Sequence, residues 1–141
     1  MTNIREKNLV IYTDGGARGN PGPAASGVVI FDDQEKILGE YSEFLGEATN
    51  NQAEYRAIVL ALEKAIELEG EKIILYSDSE LVIKQLNHKY KVKDSKLSAL
   101  FVEIWNLAQN FNSIEYQHVP REKNKLADAQ VNKCLDQHLH S

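Results

Sequence analysis

Along the chain the spacing of apolar positions changes several times, and each change marks an element. Leu9-Val10-Ile11-Tyr12-Thr13 is a continuous apolar and β-branched run, the pattern of a strand covered on both faces. Ala24 to Phe31 predicts a second strand, Asp32-Asp33-Gln34 a turn, and the alternation from Lys36 to Glu47 a third strand, so the chain opens as an antiparallel meander. The period then lengthens to that of a helix. Thr49-Asn50-Asn51 reads as an N-cap, Glu54 stands three residues after Asn51 as in a capping box, and Ala53, Ala57, Ile58, Ala61, Leu62 and Ala65 continue an apolar face until Gly70 stops it as a C′ glycine.

Lys72 to Asp78 repeats the opening theme, an apolar strand that ends in an acid. Ser79 to Leu86 predicts a short helix, and Asn87 to Lys93 an irregular basic segment with Tyr90 among Lys89, Lys91 and Lys93. A further helix, capped by Asp94 or Ser95, carries Leu97, Leu100, Phe101, Ile104, Trp105 and Ala108 at helical spacing, which places Trp105 in the core. Ser113 to Val119 is a last strand, Pro120 ends it, and a final helix from Asn124 turns Leu126, Ala127, Val131, Cys134 and Leu135 inward. The order β-β-β-α-β-α-α-β-α implies an α/β fold, a mixed sheet covered by helices on its faces.

Composition narrows the class. The 141 residues are 43% hydrophobic and 26% charged, as expected of one globular domain, here with a core from about 8 to 136 and flexible ends at 1–7 and 137–141. No apolar run approaches the roughly 20 residues needed to span a membrane. The first residues lack the apolar segment of a signal peptide, so a cytoplasmic location is expected by default. Cys134, on an apolar helix face, is expected to be a reduced core thiol. A net charge of −5 argues against a broadly basic nucleic-acid binder. Acids gathered around divalent cations, however, lower the formal charge without repelling a polyanion once the ions are bound.

The candidate chemistry lies in acids at element boundaries. Asp14 ends the first apolar strand and is followed by Gly15, Gly16, Gly19, Asn20, Pro21 and Gly22. A carboxylate there needs a metal, a cation or backbone donors, and the glycines are expected to take positive φ and to pass close to a ligand. Asp78 ends the second such strand, at the edge where ligands gather in open α/β sheets. Glu54 and Asp128 begin helices. Taken singly, Glu54 reads equally as a capping-box residue, and Asp78 or Asp128 as a helix cap; Asp14 has no such ordinary role. Together, four converging carboxylates need cations among them, and an all-oxygen set suits hard divalent ions, above all Mg²⁺.

Four segments, Asp14-Gly15-Gly16-Ala17-Arg18-Gly19-Asn20-Pro21-Gly22-Pro23, Thr49-Asn50-Asn51-Gln52-Ala53-Glu54, Tyr76-Ser77-Asp78-Ser79 and Asn124-Lys125-Leu126-Ala127-Asp128, closely resemble the motifs of type 1 ribonuclease H. The resemblance runs from about Val10 to Asp136 in the family's order and spacing. It implies the ribonuclease H-like fold, a five-stranded mixed sheet with the first three strands antiparallel and the fourth and fifth parallel to the first. It also implies endonucleolytic cleavage of the RNA strand of an RNA/DNA hybrid, leaving 5′-phosphate and 3′-hydroxyl ends; nothing in the sequence suggests other than a monomer. Asp14, Glu54, Asp78 and Asp128 look like the metal-binding catalytic set for two Mg²⁺ ions, with Mn²⁺ as a possible substitute. Asp14 would bridge both ions, and Glu54 would also lie near a ribose 2′-hydroxyl. Asn20, Asn50, Asn51 and the stretch Gly16, Ala17, Arg18, Gly19 resemble the family's substrate contacts, and Thr49 a phosphate-pocket residue for the DNA strand. Each Asn, alone, is an ordinary turn or cap residue.

Two departures from the family pattern stand out. The loop Pro120-Arg121-Glu122-Lys123-Asn124 has no histidine before the last acid; His118 lies within a strand and reads as structural, which leaves Arg121 as a substitute that can meet phosphate but cannot act as a base. The basic handle helix of many bacterial members is also missing. Lys89, Lys91 and Lys93 are either its remnant or ordinary solvated lysines. Two rival functions share some of these features: a hybrid-binding module that does not cut, which has no use for four repelling acids, and a phosphotransferase of the actin and sugar-kinase type, which needs two domains to close over ATP.

Overall fold

The computed structural model describes residues 7–139. The elements are β1 (Asn8–Ala17), β2 (Gly22–Phe31), β3 (Ile37–Ala48), α1 (Asn50–Glu67), β4 (Lys72–Ser77), α2 (Glu80–Leu86), α3 (Ser95–Ala108), β5 (Ser113–His118), a single 3₁₀ turn at Arg121–Lys123, and α4 (Lys125–Leu139). The strands form one sheet in the order β3-β2-β1-β4-β5. β1 pairs antiparallel with β2, and β2 with β3; β1 pairs parallel with β4, and β4 with β5. The α/β fold and strand directions expected from the sequence are those observed.

β1 lies in the middle of the sheet, which is why its sequence reads as a run without polar interruption. Its alternate residues point to opposite faces. Leu9 and Ile11 belong to the larger core, with Tyr55, Ile58 and Leu62 of α1. A side chain at Gly15 would meet α1 at Ala53, whereas one at Gly16 would meet Val131 of α4. The two helices therefore cover opposite faces. The smaller core, beneath α4, is Ala25, Val131, Cys134 and Leu135 with Phe44 packed against it, and Cys134 is the buried free thiol expected.

Several local expectations are corrected. β1 does not stop at Asp14 but continues to Ala17, with Gly15 opposite Ser26 and Gly16 opposite Ala25. The glycine-rich stretch is thus partly strand, and of its glycines Gly19 takes positive φ, at 98°. The capping box at the start of α1 is made by Thr49 and Gln52, each side chain accepting from the other's backbone N–H, and not by Asn51 and Glu54. At the other end the left-handed residue is Glu69 (φ 59°), with Glu69 N–H donating to Ile66 and Gly70 N–H to Ala65, a Schellman arrangement. Gly70 serves packing instead, since a Cβ there would fall 2.5 Å from Leu9 Cδ1.

Trp105 is 54% exposed, not core. α3 packs along α1 on one side only, so a narrow seam through Leu97 and Ile104 is buried, and Trp105, one position on, turns about 100° away. Leu126 is likewise 50% exposed, because α4 meets the sheet through Ala127 and Val131. α4 continues past 136 to Leu139, with the His138 ring stacked on Phe44 at 4.2 Å; positions 1–6 and 140–141, expected to be flexible, lie outside the described residues. No helix among the described residues is long and apolar enough to cross a membrane.

Candidate active site

The last β1–β4 pair is Thr13 with Ser77, so Asp14 and Asp78 are the first residues beyond it on two parallel neighbours. Here the strands separate, and the cleft between them opens at their C-terminal ends. Asp14 remains paired to Gly27 of β2 and is 7% exposed. Glu54, just over one turn into α1, is 6% exposed. Its carboxylate accepts from Gly15 N–H at 3.0 Å and from Ser77 Oγ at 3.1 Å, which ties the helix to both strands. Ser26 Oγ donates to the Ala53 carbonyl at 2.8 Å and fixes the same turn.

One carboxylate oxygen each from Asp14, Glu54 and Asp78 lies within 4.8 Å of the other two. Asp128, in the first turn of α4, comes from the opposite layer and faces the same cavity as Asp14. The four acids line one cavity of about 380 Å³. Burial pushes Asp14 up to about 9, helped by the nearby charges of Glu54 and Asp78. Burial also pushes Glu54 up to about 7, opposed by its interaction with the neighbouring Asp14 carboxyl and by the hydrogen bonds from Gly15 and Ser77. Such a set carries its full negative charge at neutral pH only with cations between its members. Hard oxygen donors without His or Cys fit Mg²⁺ or Mn²⁺.

The other residues singled out in the sequence divide into two groups. Gly16, Ala17, Arg18, Asn50, Asn51 and Arg121 line the cavity with the acids. Gly19, Asn20 and Thr49 stand outside its lining but next to it. Asn20 Oδ1 accepts from Asn50 N–H at 3.0 Å, Asn50 Oδ1 accepts from Ala17 N–H at 2.8 Å, and Thr49 caps α1. Arg18 is engaged by Asp136 at 2.7 Å, which ties the β1–β2 turn to α4. His118 is exposed on the last residue of β5 and does not line the cavity.

Two polar residues of the site escape a sequence reading. Ser77 holds Glu54, and buried Asn124 donates from Nδ2 to Asp78 Oδ2 at 3.2 Å. Both look like helix caps in sequence. A larger concavity of about 570 Å³ lies under the N-terminal end of α4, against Val10, Tyr12, Phe31 and Tyr76; Asp32, Asp33, Glu35 and Glu122 also line it, but among the described residues Asp14, Glu54 and Asp78 are the acids whose oxygens gather within 4.8 Å.

A family model described as reverse transcriptase-like matches residues 12–134. The chain is 43% identical over 125 residues to ribonuclease HI of Halobacterium salinarum, covering 89% of this chain and 63% of that protein. The solved ribonuclease H1 structure from that archaeon superposes with a TM-score of 0.90 at 42% identity, over 92% of this chain and 98% of the other. The chain belongs to the type 1 ribonuclease H family.

Within this family of nucleases, a bifunctional protein of Mycobacterium tuberculosis is 41% identical over 129 residues, 91% of this chain and 35% of that protein. The chain thus spans about a third of the length of that relative. The ribonuclease H1 called LC11, solved in complex with an RNA/DNA hybrid, has a TM-score of 0.88 at 42% identity, over 93% of this chain and 99% of the other.

Proposed function

We propose that the chain is an endoribonuclease that hydrolyses the RNA strand of RNA/DNA hybrids with two divalent ions, Mg²⁺ with Mn²⁺ as substitute, leaving 5′-phosphate and 3′-hydroxyl ends. The observation that carries this reading is the meeting of Asp14, Glu54 and Asp78 oxygens within 4.8 Å in a family of hybrid nucleases. Bound divalent ions supply Lewis acidity at the scissile phosphate and a more acidic attacking water.

The chain's own residues do the rest. Asp14, Glu54, Asp78 and Asp128 hold the ions, Asp14 from the centre of the cluster. Glu54 is held rigid by Gly15 and Ser77, so its free edge presents an acceptor of fixed direction, suited to a ribose 2′-hydroxyl, the group that marks RNA. The Asn20–Asn50–Ala17 chain of hydrogen bonds joins the β1–β2 turn to α1 as one surface for the duplex. Arg121 brings a cation to the cavity, where it meets phosphate charge without exchanging a proton. All these groups come from one chain, which suits a monomer, and a cytoplasmic location is proposed with it.

A cluster of acids that repel one another without ions favours cleavage over binding alone. The test is incubation with an end-labelled hybrid, with Mg²⁺ or with EDTA, beside Asp14→Asn. Cuts within the RNA strand that require the metal and vanish in the variant are expected. Cleavage that persists in EDTA refutes the metal mechanism, and binding without cleavage favours the non-cutting module.

A further inference from the structure

Asn124 connects the 3₁₀ turn to α4 and is 1% exposed. Its Nδ2 donates to the Thr13 carbonyl at 2.9 Å and to Asp78 Oδ2 at 3.2 Å. Both partners are acceptors, so the amide has one workable orientation; turned over, Oδ1 would face a carbonyl and a carboxylate. In that orientation Oδ1 is buried and has no hydrogen-bond partner among the described residues. A buried oxygen left unpaired is unfavourable, and such groups persist where the rest of the side chain is needed in place.

The two bonds of Nδ2 reach the two strands at the point where they part. Thr13 is the last β1 residue paired with β4, and Asp14 follows it; Asp78 follows Ser77, its partner. The backbone of Asn124 has a second task, since its carbonyl accepts from Asp128 N–H at 3.1 Å and so opens α4. One residue therefore touches the position before Asp14, the carboxylate of Asp78 and the helix turn that carries Asp128.

We propose that Asn124 is a positioning residue: its Nδ2 keeps the Asp78 carboxylate turned into the acidic cluster and sets α4 in register with the sheet. The proposal rests on the reading of the cluster as a divalent-ion site, and its test separates the two. Mn²⁺ binding to the protein without nucleic acid is measured by calorimetry for the unsubstituted protein, Asn124→Ala, Asp78→Asn and the double variant, with circular dichroism to confirm folding. Asn124→Ala is expected to weaken Mn²⁺ binding about tenfold, as loss of a partner that orients a ligand does. The Mn²⁺ concentration for half-maximal cleavage should rise with it, while turnover at saturating Mn²⁺ falls less.

Because Asn124 acts through Asp78, adding Asn124→Ala to Asp78→Asn is expected to weaken binding by less than about twofold, a non-additive result. Equal factors in both backgrounds, or unchanged Mn²⁺ affinity in folded Asn124→Ala, overturn the positioning role. Should Asn124→Ala fail to fold, Asn124→Leu, which keeps much of the shape and removes the donor, takes its place under the same criteria. If the unsubstituted protein binds no Mn²⁺, the divalent-ion reading itself is overturned.

Discussion

Arg121 brings a guanidinium charge into the cavity of the four acids, on a one-turn 3₁₀ segment open to solvent. A permanent cation there would attract phosphate, but it cannot take up a proton. Arg121→Ala is expected to lower turnover several-fold while Mn²⁺ affinity stays unchanged; steady-state kinetics with parallel calorimetry measures both, and equal kinetics removes the residue from the site. At this scale the sequence is legible where a residue violates its local pattern. Asp14 and Asp78 stand out because an apolar strand does not end in an acid without cause. Ser77 and Asn124 do not stand out, because each fits an ordinary cap position while its partner is 23 or 46 residues away.

Among elements, the decisive contact is the first turn of α1 on β1. A Cβ at Gly15 would lie 2.2 Å from the Ala53 carbonyl carbon and 2.4 Å from Glu54 N, backbone atoms that cannot move alone. Gly15→Ala therefore lifts α1 from the sheet and takes Glu54 with it. The expected loss of stability is about 2–3 kcal/mol in urea denaturation, with cleavage reduced nearly as far as in Asp14→Asn. Unchanged activity would show that the helix approach is not what places Glu54. The sequence shows that glycine is needed here but not why: positive φ and close approach leave the same letter, and the position of Ala53 in space separates them. The buried seam of α3 is narrower than its apolar pattern and leaves out Trp105 for a similar reason, since the width of such a seam depends on how many neighbours a helix has.

For the whole molecule, stability and ion binding are linked. Asp14 and Glu54 have pKa values raised to about 9 and about 7 from ordinary values of 3.8 and 4.5. The folded state holds their protons more tightly than the unfolded chain, so in EDTA stability falls as pH rises from about 4 towards 9, and it is greatest below that window with respect to these groups. Saturating Mg²⁺ binds the ionised folded form and should flatten the fall. Melting temperatures over this range, with Mg²⁺ and with EDTA, check both statements, and a flat EDTA curve contradicts them. Strand order and directions were legible because motif order matched a known topology, whereas the convergence of the acids could only be expected. One bond described above has a temporal meaning. Asn124 to Thr13 joins positions 111 apart, and Asp128 arrives only with the helix that Asn124 opens. A nascent chain can therefore pair most of its sheet before its last helix is made, and the acidic cluster is complete only when α4 closes.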